Sequence, residues 1–251
     1  MHAPTQSGFT LIEAILFLAV SSLLFLIAVV GTGSLMTSVR FSDSMRTTQA
    51  FFQSQYDQIL NGVNEREQAE TCGVIKGKCL LLGRLFQFEK GSGDITSYYV
   101  VATRVPDLAG GDATKSDQEL LAEAAKPVVV KGGAFVSTFQ IPWGAQVLNT
   151  RRSDDTAVNT YALLRSPGSS RLLSYTFTVP TADLAGDGTL ALSSYLADAA
   201  NAQRSTNICV QSVDSPDRPA VVTVANGDGQ NAIALKFDVE NVTDECDGDA
   251  A

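Results

Sequence analysis

The sequence predicts an α+β protein in which the second half of one long amino-terminal helix packs on an antiparallel β-sheet domain. Three observations support this prediction. The chain has no charged side chain from residue 14 to residue 39. After this run, apolar residues recur in three- and four-residue steps to about residue 60, which is typical of an amphipathic helix. Beyond it, short strand-like runs alternate with Gly- and Ser-rich turns, as in antiparallel sheets.

The first part of the helix, residues 9–33, is apolar enough to cross a membrane. A spanning helix needs about 20 mostly apolar residues at a rise of roughly 1.5 Å each. Glu13 is the one acid at the edge of this run. A buried acid costs up to roughly 3 kcal/mol, and Leu, Ile, Val and Phe residues offset it at about 0.3–0.6 kcal/mol each. Insertion is therefore favourable, and the presence of Glu13 needs another reason.

Two other classes of amino-terminal segment fit less well. A secretory signal peptide begins with a charged region and has an apolar core of about 7–15 residues. Here residues 1–7 carry no Lys, Arg, Asp or Glu, and the apolar run is longer. A plain signal anchor explains the length of the run but leaves Glu13 unexplained.

The second part of the helix, residues 34–62, has one apolar stripe suited to packing on a sheet. Glycines in residues 31–34 predict a linker, a helix break or a softened segment between the two parts, because each Gly costs a helix about 1 kcal/mol against Ala. Polar Ser42 and Gln49 fill two gaps in the stripe. The apolar positions of the stripe are Leu35, Val39, Met45, Phe52, Tyr56, Ile59 and Val63.

Residues 63–251 are predicted to form one β-rich domain. A hairpin is expected from runs 80–89 and 95–105. Runs 127–131 and 134–141 are expected to pair across Gly132 and Gly133, and runs 161–164 and 172–179 across residues 166–170. The last strands are 208–213, 220–225 and 233–239. Residues 106–117 form a polar insertion, short helices are expected at 118–125 and within 190–200, and the stretch 180–206 is otherwise loose.

Composition excludes several functions. The chain of 251 residues has a net charge of −9, which argues against a nucleic-acid surface. Its one histidine is His2, so catalytic triads and His-ligated metal sites are not expected, and no nucleotide-binding motif is present. The pair Arg151-Arg152 is expected in a solvated loop, and the acidic pairs at 154–155 and 244–245 at the surface. We therefore expect neither an enzyme nor a cofactor.

The segment Gly8-Phe9-Thr10-Leu11-Ile12-Glu13 resembles the prepilin signal of type IV pilins and of the pseudopilins of type II secretion and competence systems. The resemblance covers roughly residues 1–60. It implies that a prepilin peptidase removes leader residues 1–8 by cutting after Gly8 and methylates Phe9. Two positions differ from the common pattern, because the leader has no Lys or Arg and Val30 replaces a frequent Pro.

The resemblance implies a structural role in a fibre. The chain would be a single-pass protein of the cytoplasmic membrane with its carboxy-terminal domain outside, later polymerised into a pilus or pseudopilus by an assembly platform and its ATPase. Its partners would be other pilin subunits, and Glu13, beside Thr10, would pair with the amine of a neighbouring Phe9. The bulky domain favours a minor subunit. An adhesive or substrate-binding subunit and a lone membrane-anchored domain remain alternatives.

Four cysteines allow three disulfide pairings. Local spacing favours Cys72–Cys79 and Cys209–Cys246, and an exported domain favours disulfides over a zinc site.

Three acidic, Gly-containing turns are weak candidates for calcium, and solvated turns are the more frequent explanation. None matches the twelve-residue calcium loop. The candidate ligands are Asp183, Asp187, Asp228, Asp247 and Asp249.

Overall fold

The computed structural model describes residues 10–61, 80–202, 205–225, 232–237 and 246, except for the side chains of residues 28–35 and 215–218. These residues confirm the α+β class, with an amino-terminal helix and a β domain built from antiparallel strands. The chain divides into two compact units, Met1–Ser42 and Asp43–Ala251.

Helix α1 runs from Leu11 to Leu60 as one element of 50 residues. The backbone stays helical through residues 31–34, so the break considered there is not formed. The cost of two glycines in a helix is small against the hydrogen bonds of a long uninterrupted element.

The buried stripe of α1 begins at Ser44. Its apolar members Met45, Phe52, Tyr56 and Ile59 are buried as predicted. Val39 is 67% exposed, so its predicted place in the stripe is wrong. The side chains of Leu35 and Val63 lie outside the described residues.

Two hydroxyls also belong to the stripe. Ser44 Oγ donates to the carbonyl of Pro142 at 2.9 Å, and Thr48 Oγ1 donates to the Ser44 carbonyl at 2.9 Å. Both side chains are fully buried. Hydrogen bonding removes the cost of burying them, which is why a purely apolar periodicity does not reveal the full stripe.

The described residues form eleven strands. They are β1 Leu80–Phe88, β2 Asp94–Ala102, β3 Pro127–Lys131, β4 Val136–Gln140, β5 Ala145–Arg152, β6 Thr160–Arg165, β7 Leu172–Phe177, β8 Gly188–Ala191, β9 Thr206–Ser212, β10 Ser215–Val224 and β11 Ile233–Lys236. All pairings between them are antiparallel. They form two sheets, where the sequence predicted one.

The larger sheet has the order β7-β6-β1-β2-β3-β8, with β4 also paired to β2. The predicted pairs β1–β2 and β6–β7 are confirmed. The predicted pairing of β3 with β4 is wrong. Both strands lie along the same edge of β2, β4 at its beginning and β3 at its end. The nine residues of β2 are long enough to accept both.

The smaller sheet has the order β11-β10-β9-β5. Strand β5 was not predicted, and it contains the arginines assigned to a solvated loop. Arg151 is buried, and Arg152 Nε lies 2.8 Å from the Asp154 carboxylate while Nη1 donates to the Ala200 carbonyl at 2.9 Å. Backbone pairing with β9 holds both arginines in the sheet, and Arg151 Nη1 also donates to the Asp155 carbonyl at 3.1 Å.

Short helical segments cover one face of the larger sheet. Helix α2, Asp117–Glu119, continues as a π-helical turn over Leu120–Ala124, in the predicted place. The loosely predicted stretch 180–206 contains α3 at Thr181–Leu184, β8, and α4 at Ser193–Ala197. Leu121 and Leu196 pack there with Leu85 and Leu164 of the sheet.

The second half of α1 covers the opposite face. Neighbouring residues of a strand point to opposite faces, so Phe86 faces away from the side of Leu85. The Phe52 ring lies 5.4 Å from that of Phe86, and the Phe51 ring stacks on Phe139 at 4.2 Å. Aromatic pairs of this kind add about 0.5–1.5 kcal/mol each to the burial of their surface. They fix the helix on β1 and β4.

A glycine allows β1 to approach β6. The register of β1 against β2 shifts between Leu81 and Gly83, as in a β-bulge. A Cβ atom on Gly83 would lie 2.0 Å from the carbonyl oxygen of Leu163. Any side chain at this position would push the two strands apart.

The polar insertion after β2 is organised by Asp112, which is 4% exposed. Its carboxylate accepts from the Asp107 amide at 3.0 Å and pairs with Arg104 at 3.0 Å and Lys115 at 3.4 Å. The Asp107 hydrogen bond, and then the two cations, lower the pKa of Asp112 from its ordinary value of 3.8, against an opposing effect of burial. The ionised carboxylate thus holds the loop together.

We expect the Asp107 amide resonance to titrate with an apparent pKa below 3.8, followed by NMR. Because the folded pKa is lowered, the stabilisation by Asp112 is present above the unfolded pKa. It is lost as pH falls through the folded value. Asp112→Asn should abolish this titration, whereas Asp155→Asn should leave it unchanged. A titration that persists in Asp112→Asn would contradict the assignment.

Candidate functional site

The first turn of α1 is closed by Thr10 and Glu13. The Glu13 amide donates to Thr10 Oγ1 at 3.3 Å, while the Thr10 amide and hydroxyl donate to Glu13 Oε2 at 3.2 and 3.1 Å. The Ala14 amide begins the helical ladder by donating to the Thr10 carbonyl at 3.2 Å. This reciprocal arrangement is a capping box.

The capping box gives Glu13 a role within its own chain. It satisfies amides that the first helical turn leaves unpaired, and it places a negative charge at the positive end of the helix dipole. Thr-x-x-Glu before an apolar run is a readable sequence signature of this box. For both residues we predicted a role in assembly and not the capping role. Gly8 and Phe9 lie outside the described residues.

The apolar residues that follow are exposed on all sides of the helix. In the described range, twelve large apolar side chains from Leu11 to Ile27 are at least half exposed to solvent: Leu11, Ile12, Ile15, Leu16, Phe17, Leu18, Val20, Leu23, Leu24, Phe25, Leu26 and Ile27. A helix that is apolar all round is normally buried in protein or lipid. An exposed apolar surface of this extent marks an interaction site.

Within the described residues, no helix meets the length and hydropathy required to cross a membrane.

The predicted disulfide Cys209–Cys246 is present, with 5.8 Å between the Cα atoms. Both cysteines are buried and pack with Val221 and Leu148. The Asn149 amide donates to the Cys246 carbonyl, so residue 246 is fixed beside β5 and β9. Cys72 and Cys79 lie outside the described residues.

Of the calcium candidates, only Asp183 and Asp187 lie in the described residues; Asp228, Asp247 and Asp249 do not. The ammonium of Lys131 donates to the backbone carbonyls of Asp183 and Ala185 at 2.9 and 3.2 Å. A side-chain cation therefore already lies at this turn. The described residues contain no group of three His, Cys, Asp or Glu side chains able to hold a metal.

A small cavity lies between the end of α1 and the larger sheet. Its volume is about 50 Å³, and Gln58, Arg84, Tyr99 and Arg165 line it. Arg84 donates to Tyr99 Oη at 2.7 Å and to Gln58 Oε1 at 3.2 Å, and its guanidinium lies over the Tyr99 ring. Ligand sites usually measure about 300–1,000 Å³. The arginine therefore acts here as a link between helix and sheet.

Comparison with known proteins gives no relative: no protein-family model, no curated protein and no solved structure matches this chain. The candidate site is therefore defined only by the structure of this chain. It consists of the capped first turn and the exposed apolar surface of α1.

Thr10→Ala should loosen the first turn of α1, because it removes the hydroxyl that both donates to and accepts from Glu13. We expect a loss of about 1 kcal/mol of local helix stability. Faster amide exchange at Glu13 and Ala14 in detergent micelles, measured by NMR, would show it. Thr47→Ala, at an exposed position inside the helix, serves as the control and should leave these amides unchanged.

Proposed function

We propose that the chain is a structural subunit, a minor pilin or pseudopilin, of a type IV pilus or a type II secretion-like fibre. The single observation that carries the proposal is the exposed apolar surface of α1, whose first turn is capped by Thr10 and Glu13 directly after the Gly8-Phe9 segment. No catalytic chemistry is assigned to the chain.

The exposed apolar surface needs a partner. Burying a Leu, Ile, Val or Phe side chain is worth about 1.5–3 kcal/mol, so the twelve side chains together favour an apolar environment strongly. We infer two successive environments. The lipid of the cytoplasmic membrane covers this surface before assembly, with residues 43–251 on the outer side, and the helices of other pilin subunits cover it in the fibre.

Glu13 can serve the cap and a neighbour at once. Both hydrogen bonds that its carboxylate accepts end on Oε2, and Oε1 accepts none among the described residues. A carboxylate has about four acceptor positions. After cleavage behind Gly8, the amine of Phe9 in an adjacent subunit would find an oriented acceptor in Oε1. Pairing would compensate two charges that are expensive in an apolar surrounding and would set the axial register of the subunits.

Processing and assembly require further partners. A prepilin peptidase would remove residues 1–8, and a platform with its ATPase would extract the subunit from the membrane. The size of the Asp43–Ala251 unit favours a minor subunit over the main repeating one.

The mature chain should begin with methylated Phe9. Intact-mass spectrometry of the protein from its own cells is expected to show a chain lacking residues 1–8 and carrying one additional methyl group. Gly8→Val should remain uncleaved, and Ser7→Ala should be processed normally. A mature protein that still begins with Met1 would refute the proposal.

Glu13→Gln should separate the two roles of this residue. Glutamine also completes a capping box but carries no charge. We expect Glu13→Gln to keep the first turn, judged by amide exchange, and to enter sheared fibres at least tenfold less than wild type, judged by immunoblot. Glu13→Ala should lose both properties. Wild-type incorporation of Glu13→Gln would remove the pairing role and leave only the cap.

A further inference from the structure

Trp143 has a strained backbone conformation at an exposed position. Its φ of 61° and ψ of 26° lie in the left-handed region, which is sterically unfavourable for a bulky residue. It is the only tryptophan of the chain, and its side chain is 55% exposed. Strain of this kind persists where the surroundings determine it, and it is concentrated at functional sites.

The turn that contains Trp143, residues 141–145, is fixed by buried residues at both of its ends and by hydrogen bonds to α1. Ile141 and Ala145 are buried at 2% and 1% exposure. Helix α1 adds two hydrogen bonds, from Ser44 Oγ to the Pro142 carbonyl at 2.9 Å and from Trp143 Nε1 to the Asp43 carboxylate at 2.9 Å. The indole is thus presented in a fixed orientation, which lowers the entropic cost of a contact.

The rim of the turn is polar and acidic. Exposed Asp43 accepts the indole N–H, and exposed Asp94 lines the adjoining groove with Gln140 and Gln146. An aromatic side chain inside a polar rim is the usual composition of a protein–protein contact.

A complementary groove lies at the other end of strand β2. Its volume is about 620 Å³, and Ala122, Pro127, Val128, Ala191 and Ala197 contribute its apolar lining. Exposed Lys126 stands on its rim, and Glu123 there is paired with Lys115 at 3.3 Å. The Trp143 turn adjoins Gly93 and Asp94 before and at the start of β2, whereas the groove includes Thr103 just after its end. At about 3.3 Å per residue, β2 separates the two surfaces by roughly 26 Å.

We propose that the Trp143 turn of one copy of this chain inserts into the Lys126 groove of a second copy, head to tail. The indole meets the apolar lining, and Asp43 and Asp94 face Lys126, which has the opposite charge. Because the two surfaces are different and lie at opposite ends of β2, the contact between two adjacent copies is heterologous and has no two-fold symmetry. This inference rests on the proposed function, since the apolar helices bring the copies side by side.

Cysteine cross-linking tests the contact in the full-length chain in detergent micelles and in sheared fibres. Copies carrying Gln140→Cys, which keeps Trp143 beside it, and copies carrying Ala197→Cys are mixed and mildly oxidised. We expect a cross-linked dimer at several times the yield of a matched pair of Gln140→Cys with Val213→Cys, whose position is 58% exposed but outside the groove. Equal yields from the two pairs would overturn the contact.

Charge reversal provides a second readout. Lys126→Glu and Asp94→Lys alone should each lower fibre incorporation about tenfold, and the double variant should recover most of it. The midpoint of thermal unfolding of each detergent-solubilised variant should equal that of wild type. A lower incorporation then reflects a defect in assembly and not in folding. Wild-type incorporation of both single variants, or no recovery in the double variant, rejects the contact while leaving the proposed function standing. A wild-type chain that is uncleaved and absent from fibres rejects both.

Discussion

The structure depends on the packing of one helix against the β domain. From Ser44 to Ile59, α1 buries Met45, Phe52 and Tyr56. The Phe52 ring packs on Phe86 of the larger sheet, and Gln49 Nε2 donates to the Ile233 carbonyl of the smaller sheet at 3.2 Å. The same helix carries, from Leu11 to Ile27, apolar side chains that the chain itself leaves exposed. One half of α1 thus stabilises the fold, and the other half remains available for a partner. The proposed role as a fibre subunit requires this division, because such a subunit must fold before it associates.

Local sequence patterns were sufficient to predict the buried face of α1, two hairpins and one disulfide. Periodic apolar residues predicted the buried positions of α1 from Met45 to Ile59, and Gly- and Ser-rich turns predicted the hairpins β1–β2 and β6–β7. Short spacing along the chain predicted Cys209–Cys246. The hairpin strands are neighbours along the chain, the periodicity of α1 specified its buried face, and the two cysteines are 37 residues apart in the second half of the chain.

Non-local pairing was not predictable in the same way. Gly132 and Gly133 marked a turn, but the strands beside it bond to β2, because a nine-residue strand offers room for both. Strand β5 was missed because two arginines and polar residues occupy it. Arg152 contacts Asp154 and Ala200, and Arg151 donates to the Asp155 carbonyl, and the sequence does not reveal these contacts. The capping box was readable from Thr10 and Glu13. It was overlooked because the resemblance to prepilins already offered an explanation for both residues.

Lys131 supplies a positive charge to the backbone carbonyls of the turn around Asp183. In many extracellular proteins, carbonyl-rich turns are neutralised by a divalent ion taken from the medium, and their order then follows the ion concentration outside the cell. Here a covalently attached ammonium already occupies the carbonyls of Asp183 and Ala185. The positive charge at these two carbonyls is therefore supplied by the polypeptide itself.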